Sequence, residues 1–147
     1  MGTEKWKMEN NQKYSAYPKS IAIIYSDARR EYFPTEEQYL TEAEVYPRAK
    51  VVAKYIEKMG IKTYLFPGSK ELPEKLRKFK PEMAINLVDS VEGSEFLQSA
   101  IPGLLEIADI PYTGAGILGL SLVCNKFLVK KILEQNGVPV PRYQMVK

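Results

Sequence analysis

Apolar residues fall along this chain in short dense runs, separated by stretches in which they recur every three or four positions. Ser20–Ser26, SIAIIYS, is almost continuously apolar and predicts a strand buried on both faces, as in a parallel sheet. IKTYLFPG, from Ile61 to Gly68, predicts a second strand, and MAINLV, Met83–Val88, a third. DIPYTGAG, Asp109–Gly116, gives a short fourth strand and a glycine turn. Between these runs the period changes. Val45, Ala49, Val52, Ala53, Ile56 and Met59 form one stripe of a helix over Glu44–Met59, with Pro47 in its first turn and Gly60 just past its end. Leu72, Leu76 and Phe79 mark a helix that Ser69 can cap and Pro81 ends. Ser94 can cap another, running to about Ala108, with Leu97, Ile101, Leu104, Leu105 and Ile107 facing inward and Pro102 bending or interrupting it. Gly116–Val123 reads as a short apolar helix. Asn125–Asn136 reads as a long one with Phe127, Leu128, Ile132 and Leu133 on its buried side. Asp27–Leu40 is charged and aromatic without a period, so a loop or lid is expected there.

Strands alternating with helices of this length imply right-handed crossovers. The expected fold class is therefore α/β, a Rossmann-like open parallel sheet of about four strands flanked by helices. Residues 1–19 are polar and are expected to form a poorly ordered arm, 20–123 the Rossmann-like domain, and 124–147 a helix and strand that lead away from it.

At 147 residues the chain fits one domain, with 45% hydrophobic and 27% charged residues, the balance of a globular protein. A net charge of +3, with Lys and Arg interspersed among Asp and Glu, argues for neither nucleic acid nor membrane as a partner. The single cysteine, Cys124, excludes an internal disulfide and fits a reducing, cytoplasmic compartment; its expected role is packing. The chain has no histidine, which removes the commonest general base and metal ligand. Chemistry must then come from carboxylates, lysines, arginines, hydroxyls or backbone groups.

In open parallel sheets, ligands sit beyond the carboxyl ends of the strands. The loops after Ser26, Val88 and Thr113 qualify, and none carries a glycine-rich nucleotide-binding signature. LVDSVEGSE places Asp89, Glu92 and Glu95 at a strand end before a helix. Those carboxylates could hold an ammonium group or a metal, or could serve the dipole of the helix that follows. Glu42 and Glu44, in TEAEV, read on their own as acids at a helix start. Lys126 lies at the N-terminal end of the last helix, where a cation opposes the dipole; it is either a phosphate ligand or a solvated lysine.

Together EAEV (Glu42–Val45), INLVDSVEGSEFLQSAIPGLLEIADIPYTGAG (Ile85–Gly116) and NKFLVKKILEQNGVPVPRY (Asn125–Tyr143) resemble the start of an ATP-grasp enzyme of the D-alanine–D-alanine ligase type. Lys126, Lys130, Leu133, Gly137, Val138, Pro139, Val140, Pro141 and Tyr143 match the family's DK…K..L…GVPVP.Y segment in register. The resemblance implies a pre-ATP-grasp domain, with GVPVPRY leading toward an ATP-grasp fold that the chain does not contain. It implies an ATP- and Mg2+-dependent carboxylate–amine ligation through an acyl phosphate, a small amino-acid substrate, and room for a homodimer. Glu42 would hold the ammonium group of the first substrate, with Asp89 and Glu92 nearby, and Lys126 would approach the ATP phosphates. No metal ligand is assigned within the chain. SDARREYFPTEEQY replaces the family's glycine-rich turn, VDSVEG its His-Gly dipeptide, and Asn125 its Asp, so the loops where specificity contacts would lie are altered. A non-catalytic Rossmann-like binding or interaction module is the competing expectation.

Overall fold

A computed structural model of the chain describes residues 17–145. Three parallel strands, β1 (Ser20–Tyr25), β2 (Lys62–Pro67) and β3 (Met83–Leu87), form one sheet in the order β2-β1-β3. Ile21 of β1 aligns with Thr63 on one side and with Met83 on the other. Helices α1 (Glu36–Ala43), α2 (Val45–Glu57), α3 (Leu72–Phe79), α4 (Ala100–Ile107), α5 (Ile117–Val123) and α6 (Lys126–Gln135) follow the chain around it, with 3₁₀ turns at Arg30–Tyr32 and Glu95–Ser99. The expected arm over 1–19 lies outside the described residues up to 16. Lys19 is already tied to the sheet, its N–H donating to Glu82 Oε2 at 2.8 Å and its carbonyl accepting from Lys62.

β1 is buried on both faces, and its alternation divides the core. Ile21 and Ile23 pack with Ala49 and Ala53 of α2, while Ala22 and Ile24 pack with Leu72 and Leu76 of α3 and Ile101 and Leu105 of α4. The molecule is thus an α/β open parallel sheet flanked by helices, as its pattern of runs and stripes predicts. The fourth strand shrinks to one parallel bridge between Tyr112 and Ala84, since Pro111 supplies a carbonyl to Ala84 but has no N–H to give.

Other differences follow from local chemistry. Half of the expected loop after β1 is helical: the Thr35 side chain accepts from the Gln38 N–H and two acids occupy the first turn of α1. No residue of α1 is buried, so no apolar period announces it. Pro102 cannot donate to the carbonyl four residues back, and the chain before α4 is wound as 3₁₀. Of the residues expected inward there, Ile101 and Leu105 are buried, whereas Leu97 and Ile107 are exposed. Ser69 caps nothing with its side chain; its hydroxyl donates to Glu71. Phe127, Leu128 and Ile132 of α6 are exposed rather than buried, because α6 leans on α5 and not on the sheet.

Candidate functional site

The chain runs from β1 sideways to β2 and then crosses back over β1 to β3, so the order reverses at the carboxyl ends of β1 and β3. Such a reversal opens a crevice. Ser26, the residue after β1, is buried, and its Oγ accepts from the N–H of Asp89 at 3.0 Å and of Ser90 at 3.2 Å. One hydroxyl thereby pins the loop after β3 against the end of β1. Val91 and Ser94 exchange both backbone hydrogen bonds across a two-residue turn in which Glu92 (φ +50°) and Gly93 (φ +77°) are left-handed. That is the conformation of a type I′ turn. A Cβ on Gly93 would collide with the Tyr32 carbonyl oxygen, so the glycine lets this turn close against the 3₁₀ segment after β1.

Between the turn and α1 lies a pocket of about 290 Å3, walled by Phe33, Gln38, Thr41, Glu42, Ser90 and Glu95. Gln38, Thr41 and Glu42 share one face of α1 at helical spacing. Glu42 sits in the last turn of α1, not at a helix start, and a carboxylate there opposes the helix dipole. Its Oε2 is buried without a hydrogen-bond partner. Leaving such an acceptor unpaired costs about 1–3 kcal/mol, more when it is charged. Its neighbour Glu44 is spent on an exposed ion pair with Arg48 at 2.6 Å.

A second pocket of about 440 Å3 lies beside the first, between α2, the end of β3 and α5, with Arg48, Asn86, Asp89 and Gln98 among its walls. Behind it, Tyr25 closes β1 against Tyr46, ring centroids 4.9 Å apart. Burial, with Tyr46 and Asp27 adding to it, holds the Tyr25 phenol above its ordinary range, so it stays neutral.

The expected site residues therefore separate. Glu42 lines the first pocket, exposed Asp89 the second, and exposed Glu92 stands at the tip of the turn. Lys126 is exposed in the first turn of α6 and belongs to neither wall. Ser90, Gln38 and Thr41 line the first pocket without a motif that marks them, beside Glu95, one of the carboxylates that LVDSVEGSE does mark. Ser90 adjoins a strand end already marked as a loop of interest, whereas Gln38 and Thr41 needed α1 to be seen. Among the described residues no group of three carboxylate or cysteine side chains gathers as a metal site. Segment 138–145 folds back along α6: Val138 N–H donates to Leu133 O, Tyr143 Oη donates to Glu134 at 2.8 Å, and the Tyr143 ring meets Phe127 edge-on at 5.7 Å. It contributes nothing to either crevice pocket. Cys124 is likewise structural: its Sγ accepts from Gln98 Nε2 at 3.1 Å and donates to the Glu95 carbonyl at 3.4 Å.

No protein-family model matches the chain. Among curated proteins it is 40% identical over 86 residues to a D-alanine–D-alanine ligase of Carboxydothermus hydrogenoformans, covering 58% of this chain and 27% of that protein. It is 33% identical over 104 residues to a D-alanine–D-alanine ligase of Desulforudis audaxviator, covering 70% and 33% respectively. An uncharacterized protein of Sinorhizobium fredii is 28% identical over 122 residues, 76% of this chain and 36% of that one. The chain thus spans about a third of the length of the relatives it matches. Over that span, with its open parallel sheet, it is a D-alanine–D-alanine ligase-like relative of the ATP-grasp enzymes.

Proposed function

We propose that this chain is the amino-acid-binding portion of an ATP-dependent carboxylate–amine ligase, and that Glu42 receives the substrate's ammonium group. The orphaned Glu42 Oε2 carries the reading, because an ammonium group brings three N–H donors and a full opposite charge. Ser90, Thr41 and Gln38 offer further hydrogen-bonding groups in the same wall. Asp89 from the neighbouring pocket and Glu92 from the turn tip add negative potential toward the same cation. The relatives are named for joining D-alanine to D-alanine. In that class of reaction ATP supplies the phosphoryl group that activates a carboxylate toward an amine. Lys126, exposed at the start of α6, is assigned to the ATP phosphates, as a flexible cation in water can be. Mg2+ is assigned to the part of the relatives that this chain does not span. No described helix is long and apolar enough to cross a membrane, and the setting proposed is the cytoplasm.

The test uses the full-length protein. Glu42→Gln keeps the shape and removes the charge, and a charge-assisted hydrogen bond contributes about 1.5–3 kcal/mol. The apparent KM for the amino acid is expected to rise about 10- to 100-fold while that for ATP stays within about twofold. Equal effects on both would remove Glu42 from the ammonium site. Lys126→Ala is expected to show the opposite split.

A further inference from the structure

The geometry points to a second ligand site, an aromatic pocket at the end of β1 that takes an organic cation of the methylated ammonium class. The pocket encloses about 440 Å3, and its walls include Tyr25, Asp27, Ala28, Tyr39, Ala43 and Tyr46. It lies beyond the carboxyl end of β1, the region where open parallel sheets hold their ligands. Three elements converge there. Tyr25 ends β1 on the side that faces α2, in step with Ile21 and Ile23. Tyr39 and Ala43 stand four residues apart on one face of α1, and Tyr46 lies in the first turn of α2. The rings brace one another and their surroundings: Tyr25 packs on Tyr46 at a tilt of 35°, and Tyr39 packs on Phe33 with centroids 6.2 Å apart. Ala28 and Ala43 fill little of the space between them, so the pocket stays open.

The face of an aromatic ring attracts a cation, and more strongly where water is partly excluded. The chain already uses one of these rings that way, with Lys50 Nζ 4.2 Å from the Tyr46 centroid. Asp27 supplies the only carboxylate in the pocket's walls. Its partner Arg29, at 3.0 Å, is more than half exposed, and an ion pair in water is easily exchanged for another cation. The Tyr25 phenol, held neutral by its burial, presents a ring face rather than a second anion. One carboxylate is too few for a divalent ion, which takes about six or more oxygen ligands. A primary ammonium brings three N–H donors that each need an acceptor, whereas a methylated one spreads its charge over C–H surface that packs on rings. An uncharged apolar ligand would leave Asp27 unused. This pocket and the Glu42 pocket share no wall residue, so the inference stands or falls independently of the proposed reaction.

Calorimetric titration of the full-length protein with choline tests this. Saturable binding with a Kd of about 1 mM is expected, and about tenfold weaker binding of choline's uncharged isostere, in which carbon replaces the nitrogen. Tyr39→Ala, Tyr46→Ala and Asp27→Asn are each expected to weaken choline binding about fivefold or more. Tyr46→Phe, which keeps the ring, is expected to stay within about twofold of the parent. Ala43→Leu, which fills the space and leaves every ring and charge in place, is expected to block binding. Unfolding curves confirm that each variant is native. No saturation by about 20 mM choline would overturn the inference, as would equal affinity for the isostere. So would native tyrosine variants that bind as tightly as the parent. Binding lost in Glu42→Gln but kept in the tyrosine variants would also overturn it, by moving the cation to the other pocket.

Discussion

Glu42 keeps a carboxylate oxygen out of water at the end of a helix that repels it, and nothing within the described residues repays that position. Under the proposed ammonium role, that cost is one accepted for a ligand. Glu42→Gln is therefore expected to leave the thermal midpoint unchanged or raised while amino-acid binding falls; a large drop in the midpoint by calorimetry would instead make Glu42 a structural residue. Gly93 is the reverse case. Gly93→Ala meets both a left-handed φ and the Tyr32 carbonyl, so a loss of about 2 kcal/mol or more is expected in urea unfolding. The sequence places Glu42 on a motif but not its isolation, which depends on what α1 and the 90s loop place around it. Gly93 is visible as a glycine, yet its collision partner lies sixty-one residues earlier and has no local signature.

At the scale of elements, runs and stripes locate the three strands and the helices that cover them, because each buries a face and burial sets the period. α1 buries nothing and carries no apolar stripe, so it reads as a loop. α6, bounded as expected by Asn125 and Asn136, does carry one, but turns it outward. Ser26 joins two elements through one oxygen, and Ser26→Ala strands the Asp89 and Ser90 N–H groups together. A loss of about 1–3 kcal/mol is expected, with faster amide exchange at those two positions. The turn-back onto α6 carries its own pH window. The Tyr143 hydroxyl and then Lys131 hold the Glu134 carboxyl below its ordinary range, and Tyr143 and then Glu134 hold Lys131 above its own. The lowered carboxyl supports the docked tail above the usual carboxylate range and loses that support as pH falls through its lowered value. The raised lysine supports it below the usual lysine range and loses that as pH rises through its raised value. Ring signals of Tyr143 and Phe127 are expected to stay constant between those limits and to shift at both ends in an NMR titration.

Over the whole molecule, the Glu42 pocket lies where the strands end, and a separate groove floored by Leu76, Leu104 and Ile110 lies where they begin. The chain alone is expected to show no ligase turnover, because it spans only about a third of the length of the ligases it resembles. Phosphate release by the chain above that of its Lys126→Ala variant would contradict this. Hydrogen exchange is expected to be slowest in β1, enclosed on both faces, and faster in α1, α5 and α6, which have no buried residue, than in the helices that cover the sheet. The wedge of Gly93 against Tyr32 also bears on how this protein could change in evolution or in a laboratory library. It fixes the pocket's frame through backbone alone, so positions 38, 41 and 95, whose side chains are exposed and do not brace that frame, can be randomised to seek new amine specificities at little risk to folding.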